Sequence, residues 1–178
     1  NKIIATKQDT KYNKFCEILR SLKWAGREAD ERIVVFTERI ETINYLKANL
    51  ERDFKIKDKP IRSGDGEYPR IAVFQGGMLD TEQDAMIENF GKKDSPIRML
   101  ICSDAGAQGV NLHYYCNRMF NYDIPWSLIT LEQRNGRIDR YKQPRVPYIH
   151  YLVLRSDNPN ISTDFRILDR LKEKEDEV

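Results

Sequence analysis

Apolar residues recur along this chain in two rhythms. Phe15, Ile18, Leu19 and Leu22 fall at helical spacing between Lys11 and Lys23, and Gly26 stops that helix before a charged linker. Ile33-Val34-Val35-Phe36 is a short β-branched run with the length of a buried strand. Ile40, Ile43, Leu46 and Leu50 then return to helical spacing in a polar background, predicting an amphipathic helix.

The rhythm vanishes from Phe54 to Pro69, where Lys, Asp, Gly and Pro predict a solvated loop of unusual length. It resumes with a strand at Ile71–Phe74, broken by Gly76-Gly77, and a helix opened by Thr81 with Asp84 and running through Met86 and Ile87 to Phe90. Met99–Cys102, Arg118–Tyr122 and Tyr148–Leu154 read as three further strands. A helix from about Ser127 toward Asp139 precedes the last of them, and another from Asp164 to Lys174 closes the chain.

Short apolar strands separated by helices predict an α/β fold, a mainly parallel central sheet with helices on both faces, because parallel neighbours need crossover connections. Ligands of such sheets gather beyond the C-terminal ends of the strands. The expected division is an opening helix and linker at 1–32, a lobe at 33–155 with a loop insertion at about 53–69, and a C-terminal helix at 156–178.

Composition narrows this picture. Thirty basic against 28 acidic residues leave a formal charge of +2, so any grip on nucleic acid comes from a local basic patch. Cys16, Cys102 and Cys116 are odd in number and lack metal-type spacing, and His113 and His150 stand outside any ligand cluster, so no disulfide framework or metal site is expected. A reducing, cytoplasmic setting fits, and no apolar run is long enough to cross a bilayer. Because it starts at Asn1 rather than Met, the chain reads as a piece of a longer protein.

Two segments carry chemistry. Gln133-Arg134-Asn135-Gly136-Arg137-Ile138-Asp139-Arg140 sets an arginine at every third position around a glycine, a spacing that can aim several guanidinium groups to one side of a helix end. Guanidinium supplies fixed positive charge to phosphoryl oxygens without deprotonating. The plainer reading, which an arginine-rich helix taken alone favours, is a solvated helix face or pairing with Glu132 and Asp139. The second segment, Cys102 to Leu112, follows a strand and holds Gly106 and Gly109, whose backbone can approach phosphate or sugar closely. Read alone, it is also an ordinary strand-to-helix turn. Trp126 after Pro125 is read as packing in the core or at a lobe interface ahead of a stacking platform.

Taken in order, Val34-Val35-Phe36-Thr37, Cys102–Leu112 and Gln133–Arg140 resemble motifs IV, V and VI of superfamily 2 helicases. Phe120-Asn121-Tyr122-Asp123-Ile124-Pro125-Trp126 resembles the segment joining motifs V and VI in remodeller-type and RapA-like double-strand translocases. The resemblance runs from about Ile33 to Gln143 and implies the C-terminal RecA-like lobe of such a motor. It implies that Arg137 and Arg140 are arginine fingers, that Gln133, Gly109 and Asn111 lie near the nucleotide, and that Ser103, Thr37, Gly76 and Gly77 meet the nucleic-acid backbone. Tyr141-Lys142 after the last finger, and Gln108 where RNA helicases carry arginine, depart from the pattern.

The sequence has no Gly-x-x-x-x-Gly-Lys-Ser/Thr phosphate loop and no acidic pair of the magnesium-binding kind. The expectation is therefore a lobe inactive by itself, completed by an N-terminal lobe that holds ATP and Mg, and travelling on double-stranded DNA in the cytosol or nucleoid. The rival expectation is a non-catalytic interaction module of the same fold. A dinucleotide domain is disfavoured by the absence of a Gly-x-Gly-x-x-Gly fingerprint.

Overall fold

The computed structural model describes residues 9–57, 59–64, 66–106, 110–141 and 143–154, with 164, 167, 169 and 170 beyond them. In chain order the elements are α1 (Thr10–Ser21), β1 (Arg32–Phe36), α2 (Ile40–Asp53), β2 (Ile61–Ser63), β3 (Gly66–Tyr68), β4 (Ile71–Phe74), α3 (Asp80–Phe90), β5 (Met99–Cys102), β6 (Cys116–Asn121), α4 (Leu128–Asn135) and β7 (Tyr148–Tyr151).

Five strands form one sheet in the order β4-β5-β1-β6-β7, and every pairing within it is parallel. The central strand β1 is buried along its whole length, which is why its sequence is a continuous apolar run rather than an alternation. Its side chains part to the two faces. Ile33 and Val35 join Phe15 and Leu19 of α1 and Ile43, Leu46 and Leu50 of α2. Val34 and Phe36 join Phe90 of α3, Leu112 and Ile138 on the other face. Each fully buried aliphatic or aromatic side chain of this kind stabilises by roughly 1.5–3 kcal/mol, so the two layers of helix are held by the strand they share.

The chain leaves β1 toward β4 and leaves β5 toward β6, in opposite directions across the sheet. Loops after adjacent strands that part in this way open a crevice at the C-terminal edge. The last rung before it aligns Phe74 with Cys102, Cys102 with Phe36, Phe36 with Asn121, and Asn121 with Tyr151.

Several expectations are corrected. The stretch predicted as loop from 54 to 69 contains an antiparallel hairpin, β2 with β3, pairing Ile61 with Tyr68 and Ser63 with Gly66. Asn89 Nδ2 donates to Ser63 Oγ at 3.0 Å and the Tyr68 hydroxyl to the Ala85 carbonyl at 3.3 Å, fastening the hairpin to α3. Strands this short, with Arg62 opposite Glu67, leave no apolar alternation to read. Helix α3 begins at Asp80, with no side-chain cap at Leu79, rather than at a Thr81 box. Helix α1 begins at Thr10 because Asp9 accepts from the Tyr12 amide at 3.0 Å. Helix α4 ends at Asn135, four residues short of Asp139, and β7 ends at Tyr151 rather than Leu154. The predicted closing helix falls mostly outside the described residues, with helical positions at 164, 167, 169 and 170. No described helix is long and apolar enough to cross a membrane.

Candidate nucleotide and nucleic-acid site

Because the three central strands end in register, the residues two places beyond them also line up: Glu38 after β1, Asp104 after β5 and Asp123 after β6. A row of three carboxylates requires a cation, and Arg134 supplies it from the last turn of α4. Its Nε and Nη2 donate to the two oxygens of Asp104 at 2.6 and 2.7 Å. Nη2 also reaches Asp123 Oδ1 at 3.3 Å, while Nη1 donates to the Asp123 carbonyl at 2.9 Å and to Asn121 Oδ1 at 3.3 Å. The guanidinium lies over the Phe36 ring, 5.6 Å from its centroid, and the residue is 2% exposed. Burial opposes its charge, but the bonds and charges of Asp104, then Asp123, outweigh that and hold its pKa above the ordinary arginine value.

Arg137 is mounted differently. Helix α4 closes at Gly136, and Ile138 sinks fully into the core while the Leu112 amide bonds the Arg137 carbonyl at 3.1 Å. The Arg137 side chain is half-buried, and the hydrogen bond it makes among the described residues is a long one to the Val110 carbonyl, 3.4 Å. It forms no ion pair with a described carboxylate. Desolvation, and then the like charge of Arg140, lower its pKa from the usual arginine value. Arg137 lines a cleft of about 240 Å3 together with Phe36, Asp104, Ala105, Thr130, Gln133 and Arg134.

Of the three arginines, Arg134 and Arg137 line the same cleft at the end of α4 and Arg140 does not. Arg134 is buried and committed, Arg137 is half-buried and uncommitted, and Arg140 is exposed. The change of path at Asn135 interrupts the helical spacing before Arg140. The alternative pairing with Glu132 and Asp139 is absent, since the ion pairs of Arg134 are to Asp104 and Asp123.

Other predicted positions are distributed as follows. Ser103 is buried, and its Oγ accepts from the Gly76 amide at 3.4 Å and the Gly106 amide at 3.2 Å, drawing the loops after β4 and β5 together. Thr37 is fully buried and its hydroxyl donates to Asp123 Oδ2, which also accepts from the Glu38 amide at 2.9 Å. Gly77 has φ +91°, a conformation that favours glycine. Gly106 is required for a different reason: a Cβ there would stand 2.8 Å from Gln75 Cα and 2.9 Å from the Phe74 carbonyl oxygen. Gln133 is on the Arg137 cleft, whereas Asn111 lines a separate depression with Ile87, Lys92 and Tyr114. Gly109 lies outside the described residues. Trp126, expected in the core or at a lobe interface, is 60% exposed and so is not a core residue of this lobe.

Sequence reading missed the carboxylate row and the buried role of Arg134. Part of its signal was present, an acidic residue shortly after each of three strands, but the common offset emerges only once β6 ends at Asn121 rather than Tyr122. Among the described residues no group of three or more His, Cys, Asp or Glu side chains is arranged to hold a metal ion, the row being occupied by Arg134.

Comparison with known proteins adds the following. The profile of the helicase conserved C-terminal domain matches residues 10–142. The ATP-dependent helicase YqhH of Bacillus subtilis is 35% identical over 127 residues, 71% of this chain and 20% of that protein. The RNA polymerase-associated protein RapA of Vibrio vulnificus is 29% identical over 139 residues, 75% of this chain and 13% of that protein. The chain therefore spans a fifth or less of the length of these curated relatives. Among solved structures, the C-terminal part of the Fun30 ATPase domain superposes with a TM-score of 0.64 at 16% identity, over 94% of this chain and 55% of that one. Domain 2 of the DEAD-box helicase Mss116p, bound to an RNA duplex, superposes with a TM-score of 0.57 at 20% identity, over 80% of this chain and 49% of that one. At these identities the superpositions establish the fold, which is the RecA-like one expected.

Proposed function

Since the chain belongs to the helicase conserved C-terminal domain family, we propose that it is the second motor lobe of an ATP-dependent translocase that moves along double-stranded DNA in the cytoplasm. In this reading an N-terminal lobe of the same protein holds ATP and Mg, and Arg137 and Arg140 supply positive charge to the terminal phosphate across the cleft between lobes. Gln133, on the same cleft as Arg137, borders the nucleotide, and the family resemblance assigns Gly109 and Asn111 to it as well, although Asn111 lines a separate depression. Ser103, Thr37, Gly76 and Gly77 present the loops that follow the DNA backbone. Backbone amides and hydroxyls read phosphate and not base identity, which is what travel along any sequence requires.

One observation carries this reading. Arg137 stands half-buried on a cleft at the C-terminal edge of the sheet with no described carboxylate as its partner, while Arg134, three residues earlier, is saturated by Asp104 and Asp123. Keeping a partly desolvated cation without a counter-ion is unfavourable unless an anion arrives in the working state. The chemistry of a triphosphate suits that vacancy of charge, and a neutral sugar or an apolar ligand does not.

The test is ATP hydrolysis by the full-length protein with and without duplex DNA. Loss of an arginine finger lowers turnover by about a thousand-fold or more in comparable phosphoryl-transfer enzymes, so Arg137→Ala should nearly abolish stimulated hydrolysis. Arg140→Lys retains the charge but not the planar fork, and should be severely impaired. Ordinary turnover in both variants refutes the reading, and a wild-type protein whose hydrolysis ignores DNA returns the chain to the class of interaction modules.

A further inference from the structure

The edge of the sheet opposite the cleft carries a row of the other sign. Arg70 stands one place before β4, Arg98 one place before β5, and Arg32 is the first residue of β1, so parallel register sets the three side by side. The backbone follows the same order: the Arg70 carbonyl accepts from the Arg98 amide at 2.9 Å, and the Arg98 carbonyl accepts from the Ile33 amide at 2.9 Å. At about 3.3 Å per strand residue, this row lies roughly 20 Å from Glu38 beyond the other end of β1.

The two outer guanidinium groups are occupied. Arg32 donates to the Phe90, Lys92 and Lys93 carbonyls at the end of α3, and Arg70 donates to the Pro96 carbonyl at 3.0 Å. The middle one is not. Arg98 is 5% exposed, its Nη1 donates to the Ile97 carbonyl at 3.2 Å, and its Nε is buried without a hydrogen-bond partner among the described residues. No described carboxylate forms an ion pair with Arg98 or Arg32. The acids of the linker before β1 are engaged elsewhere: Asp30 with the Ala25 and Arg27 amides, Glu31 with Arg118 at 3.3 Å, and Glu28, mostly in solvent, with Arg70 at 3.9 Å. Desolvation, and then the neighbouring like charge, lower the pKa of both Arg98 and Arg32, the latter to about 10, and the more distant Glu28 and Asp30 do not offset this at Arg98.

We propose that Arg98, flanked by Arg70 and Arg32, is the centre of an anion site at the N-terminal edge of the sheet, taking a small oxyanion such as phosphate on its unpartnered Nε. Arginine does not shed its charge near neutral pH, so its burial without a counter-ion is unfavourable. An anion with two oxygens relieves this by bonding Nε and an adjacent Nη, as Asp104 bonds Arg134. Burial also limits the size of the ligand. A single phosphate or carboxylate group can approach a side chain that is 5% exposed, whereas the phosphates of a duplex, fixed on a wide cylinder, cannot. The site is separate from the nucleotide cleft and does not rest on the motor reading.

The test uses the full-length protein with its nucleotide site filled by a saturating non-hydrolysable ATP analogue and Mg. It compares sodium phosphate, sodium acetate and sodium chloride at matched ionic strength. The readout is amide exchange at Arg98 and Ile33, whose hydrogen bonds join the three strands. Phosphate at about ten times its dissociation constant should slow that exchange about tenfold relative to chloride, because the closed form alone holds the ion. Slowing by phosphate alone assigns a phosphoryl ligand, and slowing by acetate as well assigns oxyanions generally, carboxylates included. Arg98→Met should lose the response. In chloride its unfolding midpoint should equal or exceed that of wild type, since an apolar chain replaces a buried unpaired cation. Arg98→Lys keeps the charge without the planar fork and should respond more weakly than wild type. Wild-type exchange that ignores phosphate, or equal slowing in Arg98→Met, overturns the proposal. So does an Arg98→Met protein that unfolds well below wild type in chloride, which would mark Arg98 as satisfied within the fold.

Discussion

Arg134 meets Asp104 edge to edge, Nε on Oδ1 at 2.6 Å and Nη2 on Oδ2 at 2.7 Å, with the arginine 2% exposed. This two-point contact joins α4 to the loop after β5, and through Asp123 it also joins the loop after β1. Removing the cation strips Asp104 of its two-point partner and leaves Asp123 with its Thr37 and Glu38 bonds. Arg134→Met should therefore destabilise the fold by about 3 kcal/mol, the lower part of the range for breaking a buried pair, because both acids keep some contact with water. Denaturant titration checks this, and a loss within the noise would show that the acids are held by other means.

Arg137 should behave in the opposite way. With one long bond to the Val110 carbonyl and no ion pair to a described carboxylate, Arg137→Ala should cost the fold far less than Arg134→Met, about 1 kcal/mol or below. Comparing the Arg134 and Arg137 variants in one denaturation series separates an arginine that builds the lobe from one that the lobe displays. A large loss at Arg137 would place it with the builders.

Of the fold, the strands at Ile71–Phe74 and Met99–Cys102 were legible to the residue and β1 to within one, because a strand buried on both faces leaves an unbroken apolar run. The β2–β3 hairpin was not, since it packs one edge of α3 through Tyr68 and Asn89 and has no buried face of its own to pattern. The positions of Arg137 and Gln133 on one cleft were legible as a motif, but the partition of the three arginines was not. That partition depends on Asn121, Asp123 and Asp104, which are distant in sequence and become neighbours only through parallel register. Trp126 lies outside the core of this lobe, and an aromatic residue after a strand carries no sign of which way it turns.

Gly106 gives a steric prediction. A methyl group there would collide with Gln75 Cα and the Phe74 carbonyl, both backbone atoms of the adjoining strand end, which cannot step aside as a side chain can. Gly106→Ala should cost about 1–3 kcal/mol, the usual range for overpacking, and should part the loops joined by Ser103. Thermal unfolding, with amide exchange at Gly76, tests both halves. Unchanged protection at Gly76 would mean the loops adapt independently.

Glu38 gives a pH signature. Although Glu38 is exposed, partial desolvation of its carboxyl at the strand edge, and then the charge of Asp123, hold it above the usual glutamate value. A raised folded-state pKa means the native form binds more protons than the unfolded form, so this group's contribution to stability declines as pH rises from about 4.5, the ordinary range for glutamate. Glu38→Gln should abolish that decline, making the variant relatively more stable toward neutral pH. Stability curves of the two proteins that run parallel from pH 4 to 7, roughly the span of carboxylate titration, would contradict this.

The burial of Ile138 between Arg137 and Arg140 has a mechanical consequence. Pinned there, and tied through the Arg137 carbonyl to the Leu112 amide, the peptide that bears the uncommitted guanidinium shares the rigidity of the sheet beneath it. Its side chain can sweep a few ångströms by changing rotamer, but its anchor has no slack. Any larger excursion of that positive charge requires the sheet to move with it.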